Sequence, residues 1–300
     1  MIDPLVIVFG LGVGVLIGLT GIGGGSLMTP LLILFAGVQP VVAIGTDLAY
    51  AAVTKTVGGW RHFRQGTVDV PLALWLGVGS IPGALGGTLL LDRLQAAYGD
   101  SIDNGVIIAV AVALLFTGVA VFWRALFMPT VVERERDTIE PLERRHKLAA
   151  IALGLTIGFV LGATSAGSGA LIAVGLILIF RLKPLRVVGT DVFHAAIVLW
   201  VASLAHLASG NVDLHLVGNI LIGSVPGVWI GARLATTLPP NGLRTALGVV
   251  LLASALGLLT KVGVGIPAPV LIGGPLLLGV VAYFVHRARS PRLRTATDSA

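Results

Sequence analysis

The sequence contains no cysteine and few charged residues. The lack of cysteine excludes disulfides, zinc–thiolate sites and thiol chemistry. Charged residues make up 11% of the 300 positions, against about 25% in soluble domains. So few charges cannot cover the folded surface of a chain this long, and we expect a lipid bilayer to be its solvent. The excess positive charge lies in short loops and the tail, which argues against a nucleic-acid partner.

Long apolar runs make up most of the remaining sequence. They cover roughly 13–22 residues each and lack the alternation of apolar and polar residues typical of barrel strands. They therefore predict an all-α integral membrane protein. The first two runs of each half are short for a full crossing, so re-entrant hairpins are an open alternative. The predicted segments are residues 5–20, 24–37, 41–60, 71–91, 105–123, 148–163, 168–180, 185–207, 214–235, 243–260 and 268–286.

The second half of the sequence repeats the first at an offset of 144 residues, which holds without a gap from Gly18 to Leu94. The identities include Gly-Thr-Asp at 45–47 and Ser-x-Pro-Gly at 80–83, each with its counterpart in the second half. Such internal similarity indicates a duplicated unit. We predict two repeats of about five helical segments each, followed by one extra transmembrane helix. The divisions are residues 1–123, a charged cytoplasmic linker at 124–147, the second repeat at 148–260, and the last helix with a basic tail at 261–300.

The basic residues predict how the chain is oriented, because loops rich in Lys and Arg face the cytoplasm. The C-terminal tail is the most basic part and is placed inside. Counting segments back from the tail puts the N-terminus outside and every other strongly basic loop inside. The two halves then enter the membrane from opposite sides, so we expect inverted repeats.

Two glycine-rich segments at equivalent positions interrupt the apolar runs at 20–26 and 164–169. Unwound backbone within a membrane lines a cavity or is buried in protein, and the helix that follows directs free N–H groups and its positive end at the break. Transporters bind anions at such places. Close packing of small residues is the structural alternative. The candidate ligands are Thr20, Gly23, Gly24, Gly25, Ser26, Thr164, Ser165, Gly167, Ser168 and Gly169.

A few ionisable residues stand within the apolar segments. Asp47, Asp191 and His194 are candidates for proton coupling, because carboxylates inside a membrane usually mark an ion or proton route. An aspartate that caps a neighbouring helix is the alternative. Lys55 could balance the charge of a bound anion or pair with Asp191. Its alternative is a side chain that extends to the cytoplasmic surface.

Four motifs resemble the TauE/SafE family of sulfite exporters. They are Gly-Leu-Thr-Gly-Ile-Gly-Gly-Gly-Ser-Leu at 18–27, Gly-Thr-Asp-Leu at 45–48, Trp-Arg-His-Phe-Arg-Gln-Gly-Thr-Val-Asp at 60–69, and Pro82-Gly83. The resemblance spans nearly the whole chain. It implies a multipass protein of the bacterial cytoplasmic membrane that moves sulfite, sulfoacetate or a related organosulfonate. The second repeat departs from the pattern, because Ser165 to Ser168 replace the glycine run.

Together these observations predict a secondary transporter of a small sulfur-containing anion, acting as an exporter and binding the anion at the midplane. We find no motif for ATP binding, catalysis, a cofactor or a metal, so neither an enzyme nor direct ATP drive is expected. An anion channel, an importer of another small oxyanion and an intramembrane enzyme remain as alternatives. The expected partners are the anion and the bilayer, and a homodimer is left open.

Overall fold

The computed structural model describes residues 3–20, 25–127, 142–167, 169–234 and 240–297, which form an all-helical protein. The α-helices in these ranges are α1 Pro4–Thr20, α2 Gly25–Leu34, α3 Pro40–Arg64, α4 Val70–Tyr98, α5 Asp103–Phe127, α6 Arg144–Thr164, α7 Ala170–Leu178, α8 Pro184–Ala208, α9 Leu214–Leu234, α10 Pro240–Lys261 and α11 Ala268–Thr297. Each predicted apolar segment overlaps one of these helices, so the all-α prediction is confirmed. Helices extend into both ends of the predicted linker 124–147, because α5 continues to Phe127 and α6 begins at Arg144.

Several helices are long and apolar enough to cross a membrane. In the described ranges these are Val70–Trp123, which contains α4 and most of α5, and Arg144–Thr164, Pro184–Ala208 and Leu214–Leu234. The helices that follow the two breaks are much shorter, with 10 residues in α2 and 9 in α7. Such helices rise only about 15 Å, which is half of the hydrocarbon core. Neither α2 nor α7 is long enough to cross by itself.

The central pair of helices is α3 and α8, which have 25 residues each and begin at prolines separated by the repeat offset. These two helices run in opposite directions. Gly45 near the start of α3 lies beside His206 near the end of α8, whereas Gly59 lies beside Phe193. The other close pairs join the two halves: α1 packs on α9, and α4 packs on α6.

Columns of glycine spaced four residues apart make these outer pairs possible. A Cβ atom at Gly14 of α1 would collide with the backbone of Ser224, and one at Gly227 of α9 would collide with the backbone of Leu11. Small residues let helix backbones approach closely where lipid provides no hydrophobic driving force. The same arrangement recurs between α4 and α6. The glycines of the four columns are 10, 14 and 18, 223, 227 and 231, 79, 83 and 87, and 154, 158 and 162.

Candidate functional site

The Gly-Thr-Asp sequence of each half fixes an aspartate in the centre of the protein. In the first half, Gly45 allows close approach of the other half, because a Cβ atom there would collide with the carbonyl oxygen of Asn211. Thr46 Oγ1 then accepts a hydrogen bond of 3.0 Å from the backbone N–H of Asp213. Asp47 follows, about two turns into α3, and is completely buried.

The second half repeats this arrangement. A Cβ atom at Gly189 would collide with the carbonyl oxygen of Thr67, and Thr190 Oγ1 accepts a hydrogen bond of 2.9 Å from the backbone N–H of Asp69. The Asp69 side chain accepts from the N–H of Leu72 and so caps α4. The motif thus holds Asp191 at the equivalent buried position on α8.

Asp47 is held by neutral donors. Its Oδ2 accepts from Ser165 Oγ at 2.6 Å, from Thr29 Oγ1 at 2.7 Å and from the Thr29 backbone N–H at 3.2 Å. Ser165 belongs to the break of the second half, so that break lies against the aspartate of the first half. Asp47 Oδ1 has no hydrogen-bond partner among the described residues.

Asp191 instead lies beside a cation. Its Oδ2 is 3.9 Å from Lys55 Nζ, and the side chains of Asp191 and Lys55 are only 7% and 4% exposed. The sequence suggested this pair, and the structure brings the two residues together. The alternative, in which Lys55 extends to the cytoplasmic surface, is wrong, because its amino group is enclosed by the protein. Within the described ranges, Lys55 Nζ has no hydrogen-bond partner.

His194 lies one turn after Asp191 and is fully buried. Its Nε2 is 2.7 Å from Ser80 Oγ on α4. In the first half Tyr50 occupies the position of His194, but within the described residues neither its hydroxyl nor that of Ser224, the counterpart of Ser80, has a hydrogen-bond partner. The Nε2 atom of His194 is therefore directed toward α4. The other ring nitrogen, Nδ1, has no hydrogen-bond partner in the described part of the chain.

The second break contains three residues with positive φ angles. Ser165 adopts the left-handed region with φ 60°, and Gly167 and Gly169 have φ 106° and 104°. Ser165 is unusual there, because a left-handed conformation is uncommon for residues other than glycine. This backbone ends α6, and Ser165 donates its hydroxyl to Asp47 rather than to its own helix.

The helix after this break presents backbone donors. Helix α7 begins at Ala170, and its N-cap Gly169 provides no side-chain hydrogen bond. The first N–H groups of an α-helix have no partner within the helix, which suits them to anions. Thr164 contributes differently from the prediction, because its hydroxyl donates to Val160 O at 2.6 Å and accepts from the Ala166 N–H at 3.2 Å. It therefore closes the end of α6. Ser168 lies outside the described residues.

The first break is only partly described. Thr20 ends α1 and Gly25 begins α2, where Ser26 is buried. Gly23 and Gly24 lie outside the described residues. The expectation that both breaks supply ligands to the anion stays a prediction.

Sequence reasoning missed two hydroxyl residues, Thr29 and Ser80. Both lie in apolar helices and bond an ionisable residue of another helix. A signal was present for Ser80, because serine recurs at its counterpart Ser224 inside an apolar segment. Thr29 gave no such signal, since its counterpart is Ala173.

The chain matches the family model for sulfite exporter TauE/SafE over residues 6–258. It is 37% identical over 254 residues to the probable membrane transporter protein YjnA of Bacillus subtilis, covering 85% of this chain and 98% of that protein. It is 25% identical over 234 residues to YdhB of the same organism, covering 78% and 91%. A probable membrane transporter protein of Xylella fastidiosa is 28% identical over 268 residues, covering 85% and 95%. No solved structure matches the chain.

Proposed function

The chain belongs to the TauE/SafE family of sulfite exporters and is a membrane transporter, and from this premise we propose that it exports a small sulfur-containing anion. Sulfite, sulfoacetate and related organosulfonates share a compact, negatively charged oxygen cluster that accepts several hydrogen bonds. The transporter is a secondary carrier of the bacterial cytoplasmic membrane in this proposal. The family name supports the substrate class, and the geometry of the buried polar residues supports the mode of binding.

The Lys55–Asp191 pair is the observation that carries the proposal. A buried cation is costly unless it is neutralised and hydrogen-bonded. Asp191 neutralises Lys55 at 3.9 Å, but that distance is too long for a hydrogen bond. The N–H groups of Lys55 are therefore available to an anion that enters the protein. Hydrogen bonds between ionised partners are about twice as strong as neutral ones.

The same pair couples the anion to a proton. When an anion binds Lys55, Asp191 loses its counter-ion and is stabilised by taking up a proton. When the anion leaves, Asp191 releases the proton and pairs with Lys55 again. Proton and anion then move in the same direction, with Asp47 and His194 as further candidates to carry the proton. Transport of a divalent anion together with one proton still carries one net negative charge across the membrane. A potential that is negative inside drives that charge outward, with about 2.3 kcal/mol per charge per 100 mV.

The glycine-rich breaks complete the proposed binding site. Helix α7 directs its first N–H groups at the second break, and Ser165 joins that break to Asp47. We expect the first break to act in the same way from the other side of the membrane. The proposed ligands are Thr20, Gly23, Gly24, Gly25, Ser26, Lys55, Ser165, Gly167, Ser168 and Gly169.

The proposal includes inverted repeats, with the site at the interface between them. The opposite directions of the equivalent helices α3 and α8 support the inversion. Aromatic side chains support the orientation, since tryptophan and basic residues collect at the membrane surface. The three pairs Arg64–Trp60, Lys147–Trp75 and Arg233–Trp229 are in cation–π contact, and all three lie at helix ends predicted to be cytoplasmic.

Transport by purified protein in liposomes tests the proposal. We expect Lys55→Met to lower sulfite flux by about 100-fold, as expected for loss of a buried ionic contact of about 3 kcal/mol. Leu199→Met is the matched control, because Leu199 is the buried counterpart of Lys55 on α8 and this exchange conserves volume. Normal sulfite flux in the Lys55→Met variant would contradict the proposed binding site. Flux that never runs against a sulfite gradient would identify a channel instead.

An importer is the second candidate, because proton coupling at the Lys55–Asp191 pair would work in either direction. A carrier that moves a proton with a monovalent anion is driven inward by a proton gradient directed into the cell. The two directions are separated by imposing either a pH gradient or a potential on the liposomes. Faster efflux of sulfite under a potential that is negative on the sulfite side supports export.

A further inference from the structure

A cleft opens at the protein surface where α6 begins and α7 ends. Its volume is about 450 Å³. Basic side chains line one part of it and apolar side chains line the other. The lining residues are Arg145, His146, Ala149, Leu178, Ile179, Phe180 and Arg181. The proposed anion site does not use these residues, so the cleft needs an explanation of its own.

The basic part of the cleft is only weakly neutralised. Glu143 accepts a hydrogen bond of 2.7 Å from Arg145 Nε, but both side chains are largely exposed, at 55% and 75%. Exposed ion pairs of this kind contribute little. The two arginines therefore retain donors for an anionic group.

The two helix ends at the cleft carry partial charges of opposite sign, and only the end of α6 adds to the positive charge of the arginines. The N-terminal end of α6, whose N-cap Glu143 gives no side-chain hydrogen bond, carries the positive end of that helix. The C-terminal end of α7 carries the opposite charge. Arg181 lies just after that end with φ 54°, and its N–H caps the carbonyl of Ile177. A cation there complements the negative end of α7, and Arg181 is exposed at the cleft.

The apolar part of the cleft distinguishes between kinds of anion. Leu178 and Ile179 are 57% and 47% exposed, although both are large apolar residues. A small soluble anion makes no use of such a wall. A phospholipid does, because its phosphate can bind the basic residues while its acyl chains cover the apolar ones.

We propose that this cleft binds the headgroup of an anionic phospholipid. Arg145 and Arg181 hold the phosphate, and the acyl chains lie along Leu178 and Ile179. Basic pockets beside transmembrane helices suit such lipids, especially on the cytoplasmic side. That side follows from the orientation in the proposed function, whereas the binding chemistry does not depend on which anion is transported.

Native mass spectrometry of the full-length protein in detergent tests the proposal. We expect wild-type protein to retain phosphatidylglycerol in preference to phosphatidylcholine. Arg145→Gln with Arg181→Gly should lower phosphatidylglycerol affinity by about tenfold or more, with phosphatidylcholine unchanged. Glycine is chosen at 181 because it tolerates the left-handed backbone that arginine adopts there. If the double variant fails to fold, the single variant Arg181→Gly tests the proposal, and we expect it to show a smaller loss of phosphatidylglycerol affinity.

The matched control is Arg61→Gln with Arg64→Gln, which removes two arginines from another helix end predicted to lie on the same side. This control should retain phosphatidylglycerol. Equal loss in the control would show a general charge effect and overturn the proposal. Displacement of phosphatidylglycerol by millimolar inorganic phosphate would also overturn it, because the cleft would then be a site for a soluble anion. Sulfite flux is measured separately, so loss of transport with normal lipid binding would count against the proposed function alone.

Discussion

Two aspartates occupy equivalent positions in the two halves, yet their surroundings differ. Asp47 accepts hydrogen bonds from the hydroxyls of Thr29 and Ser165, whereas Asp191 neutralises Lys55. The equivalent residues of the other half cannot make these contacts, because the counterparts of Thr29, Ser165 and Lys55 are alanine, glycine and leucine. The duplication has kept the carboxylates and the Gly-Thr pair that positions them. Their partners have diverged, so a symmetric framework carries an asymmetric site.

If this difference sets their roles, only one aspartate should couple a proton to the anion. We expect Asp191→Asn to abolish proton movement with sulfite, since an amide cannot take up the proton that releases Lys55. Asp47→Asn should keep it, because the amide oxygen still accepts from Ser165 and Thr29. Proton movement is followed with a pH-sensitive dye trapped in liposomes during sulfite efflux. Coupling that survives in Asp191→Asn, or that disappears in Asp47→Asn, would reverse the assignment.

Stability should reveal the same asymmetry with a smaller effect. Lys55→Met leaves the Asp191 carboxylate buried without its cation, and we expect a loss of about 3 kcal/mol. Adding Asp191→Asn should restore most of this loss. Asp47→Asn alone should cost about 1 kcal/mol, because each hydroxyl keeps an acceptor. Unfolding in detergent monitored by circular dichroism measures all three, and additive losses in the double variant would show that the pair does not interact.

The smallest effect is expected at Ser165. Ser165→Gly removes the hydroxyl that bonds Asp47, at a cost of about 1 kcal/mol, but it also relieves the left-handed backbone. The net change should be below about 1 kcal/mol. Ser165→Ala loses the bond without relieving the backbone, so it should be the less stable variant. Equal stability of the two variants would show that the conformation of Ser165 costs nothing. Thermal unfolding of both variants beside wild type measures the difference.

Much of the architecture was readable from the sequence because its causes are periodic. Apolar runs located the helices, and the constant repeat offset identified the equivalent residues. The counting of basic loops predicts that the halves run in opposite directions, and the sequence analysis therefore offered Asp191 as a partner for Lys55. Each of these signals depends on many residues, so a few exceptions do not remove it.

The partners of the buried polar residues were harder to predict, because they depend on which helices touch. Thr29 looks like any threonine in an apolar helix until α2 is packed against α3. Thr164 looked like a ligand, but a hydroxyl in a membrane helix can also bond its own preceding turn, as it does here. Glycines four residues apart are visible in the sequence. Their spacing predicts close contact but not the identity of the contacting helix.

The pairing of α1 with α9 and of α4 with α6 has a consequence for biosynthesis. Each half lends an outer helix to the other, so neither half contains all the surfaces that its own helices need. Helix α1 leaves the ribosome well before α9, and its glycine column finds its partner only when α9 has been made, roughly 200 residues later. At about 5–20 residues per second, that interval is on the order of 10–40 s. During it, the glycine face of α1 has no α9 to pack against, so we expect this pair to assemble only after α9 has been made.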